Sequence, residues 1–237
     1  MGEQRPEMHD PKTLMEVLSA VHTNPGADVS AATGRYTRPE AMVGEVNDDG
    51  QPPAFIGVSH RDFPFDFEAV LGFYDPDERR ITCFSQGIRF VAEALNVHPD
   101  LVERIVRYHE YAHSLHHLGI TKTNITPEKA NTLLRINDLS YREAPKETKE
   151  QIAQLTTLVV IRTRHQATST TPEAQKIFDR MLQAFFMLMQ RQSDVYRLPP
   201  SLRELDLSRL QKKLRLLLEM SDGRMFPSVD QIERIID

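Results

Sequence analysis

One cysteine in 237 residues, Cys83, leaves nothing for an internal disulfide and nothing for a cysteine-based zinc site. No run approaches the roughly 20 apolar residues of a membrane span. The N-terminus, MGEQRPEMHDPK, lacks the apolar core of a secretory signal. An excess of positive charge is also lacking. The 29 Lys and Arg against 34 Asp and Glu leave a formal charge of −5, with no electrostatic footprint for nucleic acid. No repeat or low-complexity tract stands out. These absences set the expectation of a cytoplasmic protein that engages neither nucleic acid nor membrane. Apolar content of 40% and charged content of 27% are those of an ordinary globular chain, long enough to bury a full core as one domain.

The apolar pattern changes character near Gly87. Before it, Leu14, Val17, Leu18 and Val21 mark one face of a short helix over Pro11 to His22. From Asn24 to Pro53 the chain is rich in Gly, Pro, Asp, Asn and Thr, and reads as a long irregular connection. Short apolar runs at Ala54 to Val58, Ala69 to Tyr74 and Arg80 to Ser85 predict a small sheet of about three strands. The turn signal Asp75-Pro76-Asp77-Glu78 makes the last two a hairpin. After Gly87 the pattern is helical: Ile88 to Asn96, Pro99 to Gly119, Pro127 to Ile136, Pro145 to Arg162, Pro172 to Tyr196, Ser201 to Met220 and Ser228 to Ile236. Thr126, Thr171 and Ser228 are the expected N-caps. The fold class is therefore α+β, mostly helical, with a small three-stranded sheet before the Pro99 helix.

That helix carries His109-Glu110-Tyr111-Ala112-His113. Histidines four apart lie one above the other on a helix face, so both imidazoles reach one metal ion. Leu101, Val102, Ile105 and Val106 lead into the pattern at helical spacing, which turns the histidines inward. The pattern H-E-x-x-H supplies two neutral nitrogen ligands and a carboxylate, Glu110, able to take a proton from water. The bland alternative is a pair of core histidines bonded to backbone, with Glu110 paired to an arginine. It carries a heavy desolvation cost unless every partner is supplied.

A catalytic zinc takes three protein ligands and keeps a fourth position open. His117 lies eight residues beyond His109, about 12 Å along a helix axis and too far for the same ion. A metzincin needs H-E-x-x-H-x-x-G-x-x-H; His116 stands where its glycine belongs, and Gly119 where its histidine belongs. His116 and His117 read instead as last-turn residues carrying partial positive charge at the helix's negative end. The third ligand is then a carboxylate from a second helix. Glu150 lies one turn before the long apolar stretch Ile152 to Ile161 and is preferred, with Glu147 second; Glu143 precedes that helix. His165, Tyr141 and Tyr196 are candidates for supporting an oxyanion. Phe185 to Met189 form a dense apolar block, read as a buried helix or a surface that grips a partner. A helix of leucines from Leu202 to Leu218 is expected to pack on it.

Glu150-Gln151-Ile152-Ala153-Gln154-Leu155-Thr156-Thr157 resembles the E-x-x-A-[NQ]-x-[FL]-[AT] segment of small gluzincin-type metallopeptidases, notably the ImmA/IrrE-like group. His109 to His117 resembles the group's H-E-x-x-H-x-x-x-H form, and the hairpin Leu71 to Thr82 is similar to the strand pair before their active-site helix. The resemblance implies a zincin-like fold, one Zn²⁺ per chain on His109, His113 and Glu150, Glu110 as general base, and a protein or peptide substrate. It covers roughly Ala54 to Arg164; chain length leads to the expectation of a single domain over 1–237, with a catalytic core at about 54–165 and a helical C-terminal part at about 171–237. The N-terminal connection and the helices after Pro172 have no counterpart in it, so no substrate class transfers. A zinc hydrolase of a non-peptide amide would use the same residues. A non-catalytic interaction protein would have no need of Glu110.

Overall fold

The computed structural model describes residues 24–37, 43–49, 55–60, 63–120, 125–168, 172–192, 196–221 and 228–236. Among these, the elements run α1 (Pro25–Thr33), β1 (Gly44–Asp48), β2 (Phe55–His60), β3 (Phe63–Ala69), β4 (Gly72–Asp75), β5 (Arg80–Phe84), α2 (Ser85–Leu95), α3 (Pro99–Leu118), α4 (Pro127–Glu143), α5 (Lys146–Thr168), α6 (Pro172–Arg191), a 3₁₀ turn (Pro200–Arg203), α7 (Leu207–Ser221) and α8 (Val229–Ile236). The molecule is α+β and mostly helical, as its patterning predicts. The helix expected over Pro11 to His22 and the cap at Thr171 lie outside the described residues. Among the described residues no helix is long and apolar enough to cross a membrane.

The hairpin forms where the turn signal places it. Gly72 to Asp75 pair antiparallel with Cys83 to Arg80, and the Asp75 carboxylate accepts the amides of Asp77 and Glu78 at 2.8 and 3.1 Å. β1 adds to β5 in parallel, giving a mixed sheet in the order β1-β5-β4 with β4 at one edge. β2 and β3 form a separate antiparallel pair, so Ala69 ends a strand rather than opening the next.

The stretch read as an irregular connection holds two regular elements. Asn24 caps α1 by accepting the Gly26 amide at 2.9 Å, and Pro25 sits at the first helical position. Of its side chains only Val29 and Asp28 are buried, so the helix leaves almost no apolar period to read. β1 is exposed along its whole length and is held by backbone pairing and by Arg107, which bonds Glu45 and, at 2.9 Å, Asn47.

The core is organised around α3 and α5. Ile152, Ala153, Leu155, Leu158, Val159, Val160 and Ile161 are fully buried, which turns apolar surface to nearly every side of α5. It packs against α1, α3, α6 and α7. The leucine-rich α7 therefore rests on α5 and α1, not on α6 as expected. Thr156 and Thr157 return their buried hydroxyls to the carbonyls of Ile152 and Ala153 at 2.8 Å, so neither goes unpaired. α3 is enclosed by α1, α2, α4, α5 and β4. Proline opens it after the His98 cap, and it stops at Gly119, where a Cβ would lie 2.3 Å from the Leu115 carbonyl oxygen.

Candidate metal centre

α3 and α5 bring His109, His113 and Glu150 together. The two imidazoles stand edge to face, 4.7 Å between centroids, as i and i+4 on one helix face. Their Nε2 atoms are 3.1 Å apart, and Glu150 Oε2 lies 3.0 Å from the first and 3.3 Å from the second. Ligand atoms on a tetrahedral zinc with bonds of about 2.0–2.1 Å stand about 3.3 Å from one another. Two imidazole nitrogens and a carboxylate in this triangle fit that ion. Each imidazole also buries its Nδ1 without a hydrogen-bond partner among the described residues, so the polar contacts of both rings lie on their shared Nε2 side. Burial alone would raise the Glu150 carboxyl; the imidazoles of His113 and His109 outweigh it and hold it well below the usual carboxylate range.

Glu147, the second choice for third ligand, is exposed on α5 and outside the triangle. Glu143 is the last residue of α4 and is exposed.

Glu110 projects beside the triangle and is only 6% exposed. Burial pushes its carboxyl up to about 7; the Glu150 charge adds to the rise, while His109 and a hydrogen bond from the Tyr74 amide oppose it. β4 approaches so closely here that a Cβ on Gly72 would lie 2.9 Å from the Glu110 side chain and 2.5 Å from Val106 Cγ1. Glycine at 72 is thus a requirement of distance, not of dihedral freedom.

His109, Glu110, His113 and Glu150 share a cleft of about 470 Å³ between β4, α3, α5 and the end of α6. Ile105, Val106, Phe185, Leu188 and Met189 form its apolar wall, which gives part of the Phe185–Met189 block a face on the cleft. Tyr141 and Tyr196 line it; His165 does not, and lies 3.4 Å from Asp179 instead.

His116 and His117 do not carry the partial charge expected of last-turn histidines. Both are buried, and burial lowers both pKa values, that of His116 furthest, with the Arg35 cation behind it. His117 has a partner on each nitrogen: the Tyr74 hydroxyl at 2.7 Å on Nδ1 and Asp138 at 2.6 Å on Nε2. Asp138 is held in turn by Arg142 at 2.8 Å, and Arg142 reaches Asp77 in the hairpin turn at 2.7 Å. This chain of contacts ties β4 to α3 and α4. The sequence offers His117 as one more histidine on the motif helix, but nothing in its spacing points to Tyr74 or Asp138, which arrive from other elements.

No family model, no curated protein and no solved structure matches the chain.

Proposed function

We propose that the chain is a zinc-dependent metallopeptidase of gluzincin type, acting on a protein or peptide substrate in the cytoplasm. The observation that carries the reading is the triangle of His109 Nε2, His113 Nε2 and Glu150 Oε2, 3.0 to 3.3 Å on a side, with the buried Glu110 beside it. His109, His113 and Glu150 would hold one zinc ion, which when bound supplies Lewis acidity to a water and to the scissile carbonyl. Glu110, poised near neutrality, accepts the proton of the attacking water and returns it to the leaving amine. The Tyr74 amide orients the Glu110 carboxylate.

β4 supplies the substrate's backbone partner. Phe84 donates its amide to the Leu71 carbonyl, so by antiparallel alternation Leu71 and Phe73 face β5 while Gly72 and Tyr74 turn to the opposite edge, where Glu110 takes the Tyr74 amide and, among the described residues, no further strand pairs. An extended peptide adding there would run along the cleft past the triangle. The apolar wall would take one of its side chains.

Metal analysis of the purified chain tests the ligand set. About one zinc per chain is expected in wild type and in Glu147→Gln, and none in Glu150→Gln. Glu110→Gln should keep the metal and lose hydrolysis of an unfolded protein by about 10²–10⁴-fold. A Glu110→Gln protein that cleaves as fast as wild type would sink the mechanism.

A further inference from the structure

Lys146 and Lys149 open α5 immediately before Glu150, and both line the cleft. The Nζ of Lys149 lies 4.9 Å over the ring of Tyr141, and that of Lys146 5.8 Å over the ring of Tyr196. Those rings stand 6.3 Å from His113 and 6.2 Å from His109. Each ammonium thus sits on a ring that itself packs beside one of the two imidazoles.

Their placement runs against local preference. A helix N-terminus is the positive end of the helix dipole and favours acidic residues; Glu147 meets that preference, but Lys146 and Lys149 stand on either side of it in the sequence. Neither is neutralised: among the described residues no carboxylate forms an ion pair with either ammonium, and Glu150 is turned to the histidines. The tyrosine faces hold the cations without cancelling their charge. A chain of formal charge −5 repels acidic peptides at a distance, so a local positive site is what such a substrate would need. The same cleft is lined by the apolar groups of Val106, Phe185, Leu188 and Met189.

We propose that Lys146 and Lys149 form a carboxylate-binding subsite, so that the cleft selects peptides bearing an acidic group beside an apolar side chain. The proposal rests on the metallopeptidase reading and names its substrate class. An Asp or Glu side chain and a free C-terminus offer the same chemistry to the two ammonium groups.

The test uses the full chain carrying Glu110→Gln, which binds without cutting, and fluorescein-labelled dodecapeptides that differ only in the two residues after a leucine. Each exposed ammonium–carboxylate pair is worth about threefold in affinity, so Asp-Glu should bind about tenfold tighter than Asn-Gln by anisotropy, and Lys-Lys weakest. Adding Lys146→Glu and Lys149→Glu should reverse the order. Lys146→Gln with Lys149→Gln should flatten it, and Lys176→Glu with Lys212→Glu should leave it unchanged. Internal and C-terminal placement of the acid, with free and amidated ends, tells the two carboxylate sources apart. Equal binding of acidic and neutral peptides in both placements, or an acidic preference that survives charge reversal, overturns the subsite. Acidic preference in binding, with no cleavage of any of the peptides by the zinc-loaded wild type, would overturn the hydrolase reading and leave the subsite standing.

Discussion

At 6% exposure the Glu110 carboxyl has lost nearly all of its hydration, and burial pushes it up to about 7 in spite of His109 and the Tyr74 amide. The same shift that would suit a general base is a cost to the fold. In the unfolded chain a glutamate releases its proton near 4.3, so from there to about 7 the native state binds the proton more tightly. The native state is thus favoured at low pH, and this advantage is lost as pH rises through that window. Metal-free wild type should lose up to about 3 kcal/mol of stability between those limits relative to Glu110→Gln, which has no such group to titrate. Urea unfolding of both proteins at intervals from pH 4.5 to 7.5 checks it, and parallel pH profiles would remove Glu110 as the source. Glu150 works in the opposite sense. Its depressed carboxyl adds stability that is complete above the ordinary glutamate range and falls away only in acid.

Among the elements, β4 does the most with the fewest residues. Its edge places the Tyr74 amide on Glu110, its glycine permits the approach to α3, and its tyrosine hydroxyl engages His117. Gly72→Ala would drive a methyl group to 2.5 Å from Val106 Cγ1 and 2.9 Å from Glu110, so strand and helix must part. Overpacking of this kind costs about 1–3 kcal/mol, or about 5 °C in Tm for a chain of this size. Hydrolysis should fall by more than the stability loss accounts for, because the base moves. Gly44→Ala, whose Cβ meets nothing nearer than 3.9 Å, is the matched control and should change neither. A melting curve and a peptide-cleavage rate for each variant decide the matter. The helices after Gly87 were legible through their apolar periods, and two of the expected caps form: Thr126 accepts the Lys129 amide, and Ser228 the Gln231 amide. β1 was not, since an exposed strand held by its backbone leaves no alternation in its side chains. β3 does carry a strand signal in its sequence, the alternating phenylalanines Phe63, Phe65 and Phe67. Two corners of the candidate triangle were legible for the same reason as the helices, because His109 and His113 meet through the spacing of a single helix, whereas Glu150 arrives from α5. The contacts from His117 to Tyr74 and Asp138 join three elements that are separate in sequence, and only the packing brings them together.

For the whole molecule, the triangle joins the two most enclosed helices, with His109 and His113 on α3 and Glu150 on α5. α5 also carries α1, α6 and α7, so an ion held across this junction is coupled to the unfolding of most of the described core. A ligand that binds only the native state stabilises it by RT ln(1 + [L]/Kd), about 2.7 kcal/mol at a hundredfold excess over Kd. At about 2–4 °C per kcal/mol for this chain length, zinc should raise the Tm by about 5–10 °C, and a chelator should reverse the rise. Glu150→Gln should melt at the same temperature with and without zinc, whereas Glu147→Gln should respond as wild type does. The shift should appear with probes of α5 as well as with those of α3, because one ion bridges both. If zinc raised the Tm of Glu150→Gln by the same amount as wild type, the ion would be seated somewhere other than this junction, and the coupling of the two helices through it would have to be abandoned.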